Sequence, residues 1–166
     1  MRHIAPGVTL GLVLAVIPAM AATAEQIASY EIDGISLNKS IEEISAALTG
    51  AGYSETPPDT LQVGAVTLKW TFEKSLDDGG SASFVIFAGQ GHVTSIRYEI
   101  THQSVQYDVK AEYNTMEEFA GDDAGRCKIK RGETALCKFS AKNENGRYSF
   151  FGRVQPHAKT LTLERK

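Results

Sequence analysis

Val66-Thr67-Leu68-Lys69-Trp70-Thr71-Phe72-Glu73 alternates apolar and polar residues at every step. A period of two sets Val66, Leu68, Trp70 and Phe72 on one side of an extended chain, so the stretch reads as a strand with one buried face. Asp77-Asp78-Gly79-Gly80 follows as a turn, and residues 83–88 form a denser strand. Gly89-Gln90-Gly91 turns the chain again, and residues 92–101 return with Ile96, Tyr98 and Ile100 on one face. Strands joined by such short turns make an antiparallel meander.

Upstream, Ser40-Ile41-Glu42-Glu43 has the form of a capping box. The Ser40 hydroxyl can accept from the N–H of residue 43, and Glu43 can reach back to the N–H of residue 40. Ile41, Ile44 and Leu48 follow at helical spacing, with Gly50 and Gly52 to stop the helix, so residues 40–50 are helical. Residues 54–59, with Pro57-Pro58, read as a loop. Residues 30–37 are a lead-in kinked at Gly34. The first half is thus one helix and three strands.

The second half repeats the scheme. Val109, Tyr113, Met116 and Ala120 share one helical face within residues 104–120. Short strands at 126–130, 135–141, 147–154 and 160–165 follow, with Gly132 and Asn145-Gly146 at turns. The expected fold is α+β, with two helix-plus-antiparallel-meander units of three and then four strands. These units share one continuous sheet or hold separate ones. A single domain over residues 25–166 is expected, with subunits 25–103 and 104–166.

Gly34-Ile35-Ser36-Leu37, then Ser40-Ile41-Glu42-Glu43, Leu48 and Gly52-Tyr53 together resemble the opening of a group of small exported bacterial domains. These are the superfamily of SmpA/OmlA-type outer-membrane assembly lipoproteins and the β-lactamase inhibitory protein. About twenty residues carry the resemblance. It implies a helix packed on an antiparallel sheet, in tandem in the inhibitory branch, and a Gram-negative envelope setting. No functional residue carries over. Asn38-Lys39 stands where the family has Gly-Met.

Met1-Arg2-His3, the apolar run at 8–17, Pro18 and Ala19-Met20-Ala21-Ala22-Thr23-Ala24 have the three-part layout of a signal peptide over residues 1–24. Cleavage is expected after Ala21 or Ala24. The run is too short to span a bilayer, which takes about 20 residues, so no transmembrane anchor remains in the mature chain. The destination is periplasmic, or extracellular. Cys127 and Cys137 are the two cysteines. A hairpin centred on Gly132 sets them directly opposite each other, in the closely spaced, non-hydrogen-bonded kind of pair that a disulfide bridges. An oxidising compartment favours that bond.

Charge divides sharply along the chain. Residues 25–124 carry 17 Asp/Glu and 5 Lys/Arg, whereas residues 125–166 carry 3 and 11. Either the halves neutralise each other or the basic end forms a binding face. Arg126, Lys128 and Lys130 point to one side of a strand, with Arg131 at its end and Lys138 beside them on the partner strand. These five are the candidate binding residues, and Tyr148, Phe150 and Phe151 are candidate apolar anchors. No His-Glu-x-x-His, Gly-x-Ser-x-Gly or phosphate-binding glycine loop occurs, and no catalytic residue, metal or cofactor is expected. The paired carboxylates, Asp77-Asp78 among them, read as solvated faces and turns. The expectation is a non-catalytic binding module: a protein inhibitor, an immunity-type factor or an envelope-assembly accessory. An envelope protein or anionic envelope lipid, not nucleic acid, is the expected partner. An envelope hydrolase with an unrecognised site and a structural envelope protein are the alternatives.

Overall fold

The structure is a computed structural model and describes residues 20–63, 65–89 and 91–166. Its first meander runs through β1 (Ser54–Val63), β2 (Ala65–Ser75), β3 (Ser81–Gly89) and β4 (His92–Thr101). The second comprises β5 (Cys127–Lys130), β6 (Thr134–Asn143), β7 (Gly146–Gln155) and β8 (Ala158–Arg165). All eight strands form one continuous antiparallel sheet in the order β1-β2-β3-β4-β8-β7-β6-β5. The fold is α+β, and the meanders join last strand to last strand, Ser95–Thr101 of β4 pairing with Ala158–Glu164 of β8.

Residues 54–59, expected as a loop, open β1 instead, so the first meander has four strands rather than three. Among the described residues β1 is an outer strand paired with β2 alone, and its register slips between Thr56 and Asp59, where Pro57 and Pro58 fall. Proline lacks an N–H, and an edge strand with a bulge is where a sheet accommodates that loss.

Helices cover one side. These are α1 (Ala24–Ser29), α2 (Ile41–Gly50) and α3 (Val109–Ala120), the last followed by a 3-10 turn over Gly121–Arg126. Alternate strand positions face them and are buried: Phe72, Phe84, Ile86, Ile96 and Tyr98 in one half, Phe139, Tyr148, Phe150, Val154, Leu161 and Leu163 in the other. Tyr30, Phe119, Phe139 and Phe150 stack into a cluster with centroids 4.4–5.3 Å apart. Burying each phenyl ring stabilises the fold by roughly 1.5–3 kcal/mol.

Local chemistry sets the helix ends. Both bonds of the expected capping box form at α2: Glu43 N–H donates to Ser40 Oγ (3.2 Å) and Ser40 N–H to Glu43 Oε2 (2.8 Å). α3 starts later than the sequence suggests, because the Asp108 carboxylate accepts from the N–H groups of Lys110 and Ala111, both at 3.0 Å. The chain before it is held extended against the β7–β8 turn, with Tyr107 N–H on the Pro156 carbonyl at 2.7 Å. The signal-peptide reading falls mostly on residues 1–19, which lie outside the described residues. Ala22, Thr23 and Ala24, however, are built into the fold. Thr23 caps α1, Ala22 and Ala24 are buried, and Ala22 N–H donates to the Ala120 carbonyl at 3.3 Å.

The β5–β6 hairpin has the expected register. Arg131 and Gly132 turn the chain at φ of 52° and 72°, a left-handed pair that glycine makes cheap. Cys127 pairs with Cys137 at a Cα separation of 4.0 Å, and the two are joined by a disulfide. The bridge lies on the helix side, where the Met116 carbonyl oxygen is 3.7 Å from Cys137 Sγ. Gly152 sits opposite Cys137 on β7, and its missing side chain leaves room for the Met116 thioether.

Candidate functional site

Among the described residues, no helix lies over the other side of the sheet. Its residues are the alternate positions left over from the core, and the pairing arranges them in cross-strand rows. One row runs Thr71, Val85, Arg97, Thr162, Phe151, Lys138 from β2 to β6. The next runs Lys69, Phe87, Ser95, Glu164, Ser149, Ser140, and a third on the opposite flank runs Glu73, Ser83, Glu99, Thr160, Arg153, Leu136, Lys128. With strands ~4.8 Å apart, the seven strands of the third row span ~29 Å.

Val85, Phe87, Phe151 and Leu136 are half-buried in this face, set among arginines, lysines and hydroxyls. A hollow of about 420 Å³ lies at its centre, lined by Phe87, Arg97, Lys138, Phe151, Thr162 and Glu164 among others. Two further depressions adjoin it on the β5–β7 side. One of about 580 Å³ is bordered by Lys130, Arg131, Leu136, Phe151 and Arg153. The other, of about 280 Å³, is bordered by Arg126, Lys138, Ser140, Arg147, Ser149 and Lys166, with Glu164 the carboxylate among its lining residues.

The predicted basic residues come together here. Lys128 and Lys130 of β5 and Lys138 of β6 are exposed on this face. Arg126 borders the same depression as Lys138, and Arg131 lies in the adjoining turn. The apolar anchors divide. Phe151 is on the open face, but Tyr148 and Phe150 are buried on the helix side, because an odd and an even position of one strand cannot share a face. Sequence reasoning missed Val85, Phe87, Arg97, Lys142, Arg147 and Arg153. The same alternation that identified the core marked these positions as outward, but the strand order that groups them is not written in any one segment.

Electrostatics differ along the face. Towards β4, Arg97 is paired with Glu99 at 2.5 Å. Among the described residues, Lys128, Lys130, Arg131, Lys138, Lys142, Arg147 and Arg153 have no carboxylate within ion-pairing distance. Apart from the local Arg126–Asp123 contact at 3.6 Å, the ion pair that links the basic end to the acidic half is Lys159–Glu112 at 2.8 Å.

A second cluster joins the β2–β3 turn to the linker before α3. The Asp78 carboxylate accepts from the N–H groups of Gly80 (3.0 Å), Gln103 (3.0 Å) and Ser104 (3.3 Å) and meets His102 Nδ1 at 3.0 Å. The Gly80 N–H foremost, with those of the linker and His102, holds the Asp78 carboxyl well below the usual carboxylate range. This corrects the reading of Asp77-Asp78 as a plain solvated turn. The pair resembles half of a catalytic relay, but the Asp78 carboxylate spends its other bonds on the backbone N–H groups of Gly80, Gln103 and Ser104 and so fixes the linker. Burial, reinforced by the charge of Asp33, pushes the Tyr98 hydroxyl well above its ordinary value, so it stays neutral.

On the helix side, Ile41, Leu68, Trp70, Ala88 and Val93 line an apolar hollow of about 310 Å³ beyond the start of α2. Among the described residues, no three His, Cys, Asp or Glu side chains are grouped to hold a metal ion, and no helix is long and apolar enough to cross a membrane. No family model matches the chain, and neither the curated proteins nor the solved structures contain a match to it.

Proposed function

We propose that this chain is an exported, non-catalytic binding module of the bacterial envelope that docks an anionic partner on the open face of its sheet. One observation carries the reading: a wide sheet face with no helix over it among the described residues combines half-buried Phe87 and Phe151 with Lys128, Lys130, Lys138, Lys142, Arg147 and Arg153, none within ion-pairing distance of a described carboxylate. Aromatic and arginine groups at the centre of a polar surface are what association uses as anchors. The unpaired lysines and arginines steer an acidic surface towards it.

Export is supported by the leader-like start of the chain and by the disulfide, which persists in an oxidising compartment. The order of two helices and four strands, followed by a helix, a 3-10 turn and four strands, supports two helix-plus-meander units of the superfamily that residues 34–53 resemble. A protein inhibitor, an immunity-type factor or an assembly accessory is the kind of module proposed.

The test is capture from an envelope extract with three proteins: wild type, an open-face variant (Phe151→Asp with Arg153→Glu) and a helix-side control (Glu118→Lys). A component held by wild type and control, lost by the open-face variant and released at high salt supports the reading. Equal capture by all three refutes it.

A further inference from the structure

We infer that the β6–β7–β8 end of the open face holds a subsite for a phosphate group. The inference rests on the reading of that face as a binding surface and assigns the chemistry of one part of it. Ser140 and Ser149 are paired across β6 and β7 at the foot of the 280 Å³ depression. Cations flank them on both sides. Lys138, with Arg126 beside it, lies one row away, and the Lys142–Arg147 pair lies one row away in the other direction, next to Lys166.

Two local carboxylates reduce this charge without cancelling it. Glu164 accepts from Ser149 Oγ at 3.4 Å and meets Lys166 Nζ at the same distance, and Asp123 meets Arg126 at 3.6 Å. Lys138, Lys142 and Arg147 are left without a carboxylate partner among the described residues. Donors above, below and in the floor suit a tetrahedral anion with several acceptor oxygens. A carboxylate offers two oxygens in one plane, which a single guanidinium fork matches, whereas a phosphate presents three or more acceptor oxygens pointing in different directions, matched to cations on both sides of a floor. The Ser140 hydroxyl adds what a plain basic patch lacks, a neutral donor on a paired strand, and the Ser149 hydroxyl, which donates to Glu164 here, can turn to an anion only by giving up that bond. A lipid headgroup and a soluble phosphate ester present the same group.

The experiment titrates the oxidised protein with inorganic phosphate, following backbone amides by NMR. In parallel it measures retention on phosphatidylcholine vesicles with and without phosphatidylglycerol. Three variants are compared: Lys138→Glu with Arg147→Glu, the equal-charge control Lys128→Glu with Lys130→Glu, and the neutral Ser140→Ala with Ser149→Ala. Melting temperatures confirm that each is folded. Phosphate should shift amides of residues 138–142 and 147–150. The first variant should weaken binding about tenfold or more, the control less than about threefold, and the serine pair between these.

Phosphate binding without vesicle retention identifies a soluble ester as the source. Retention on phosphatidylglycerol that inorganic phosphate competes away identifies a lipid. Both support the subsite. No shift at these amides, or equal weakening by the control pair, overturns it. Failure of partner capture in the extract leaves this titration untouched, so the two readings fail separately.

Discussion

Gly152→Ala is the substitution whose effect follows most directly from the packing. A Cβ at that position would overlap Met116 Sδ and lie 3.1 Å from Phe150 Cε1, inside the contact distance of both. Met116 lies on the buried side of α3, 2% exposed, with its carbonyl against the disulfide, so its thioether has little room to move aside. Overpacking of this kind costs typically 1–3 kcal/mol. Replacing glycine in a strand interior by alanine returns roughly 0.5–1 kcal/mol of backbone entropy. The net expectation is a loss of about 1–2 kcal/mol, a fall in Tm of roughly 3–8 °C for a chain of this size. Urea unfolding of Gly152→Ala, Met116→Ala and the double variant measures it. Met116→Ala alone leaves a cavity and costs about 2–5 kcal/mol. In the double variant the new methyl group fills part of that cavity, so the summed single losses should exceed the double loss by about 1 kcal/mol or more. A single variant as stable as wild type, or additive losses, would refute the account of Gly152 as the gap that admits Met116.

Reducing the Cys127–Cys137 bond, or replacing both cysteines by serine, should lower stability by about 2–3 kcal/mol, measured by calorimetry with and without reductant; an unchanged Tm would mean the bridge is thermally irrelevant. Asp78 has a folded-state pKa below its unfolded value, so its stabilisation is present above about pH 4 and is lost as pH falls through the folded value. Asp78→Asn should therefore flatten the acid limb of Tm against pH below about 4, and parallel curves for variant and wild type would contradict the assignment. Processing after Ala21 leaves Thr23 to cap α1 and sets the new ammonium of Ala22 against the carbonyl end of α3, a favourable place for positive charge. N-terminal sequencing of the exported form should read Ala22 first, and a chain starting at Glu25 would show the cap to be dispensable.

How legible these features were depended on how local their causes are. The Ser40–Glu43 box and the facing of Cys127 and Cys137 are short-range, and both stand in the structure as read. The Pro57-Pro58 pair misled because proline punctuates loops in most contexts, and only the outermost place of β1 makes it compatible with a strand. α1 was hidden for a different reason. Six residues are too few to show a helical period, and the alanine-rich approach serves a leader's end and a buried helix start equally well. The basic stripe was visible from the spacing of Arg126, Lys128 and Lys130. Phe87 was not, because it joins this face through the β4–β8 pairing of segments far apart in sequence; Ser140, Ser149 and Arg147 share the local β6–β7 hairpin, whose register the Asn145-Gly146 turn carried as Gly132 carried that of the cysteines.

The seam between β4 and β8 has a further meaning for how the molecule comes together. β4 lies in the middle of the sheet, yet its neighbour on one side is contributed by residues 158–164, after every other strand has been threaded. Until then β4 presents a bare edge of N–H and C=O groups, the kind of edge that recruits whatever strand arrives first. The first meander and its helix are thus a half-finished sheet during folding, completed by the slowest class of contact. A β8 strand from a second copy offers the same hydrogen bonds and the same Leu161 and Leu163 to the core. Such an exchange would have to open the β7–β8 turn at Pro156-His157, which the backbone bonds from Tyr107 to Pro156 and from His102 to His157 hold against the linker before α3.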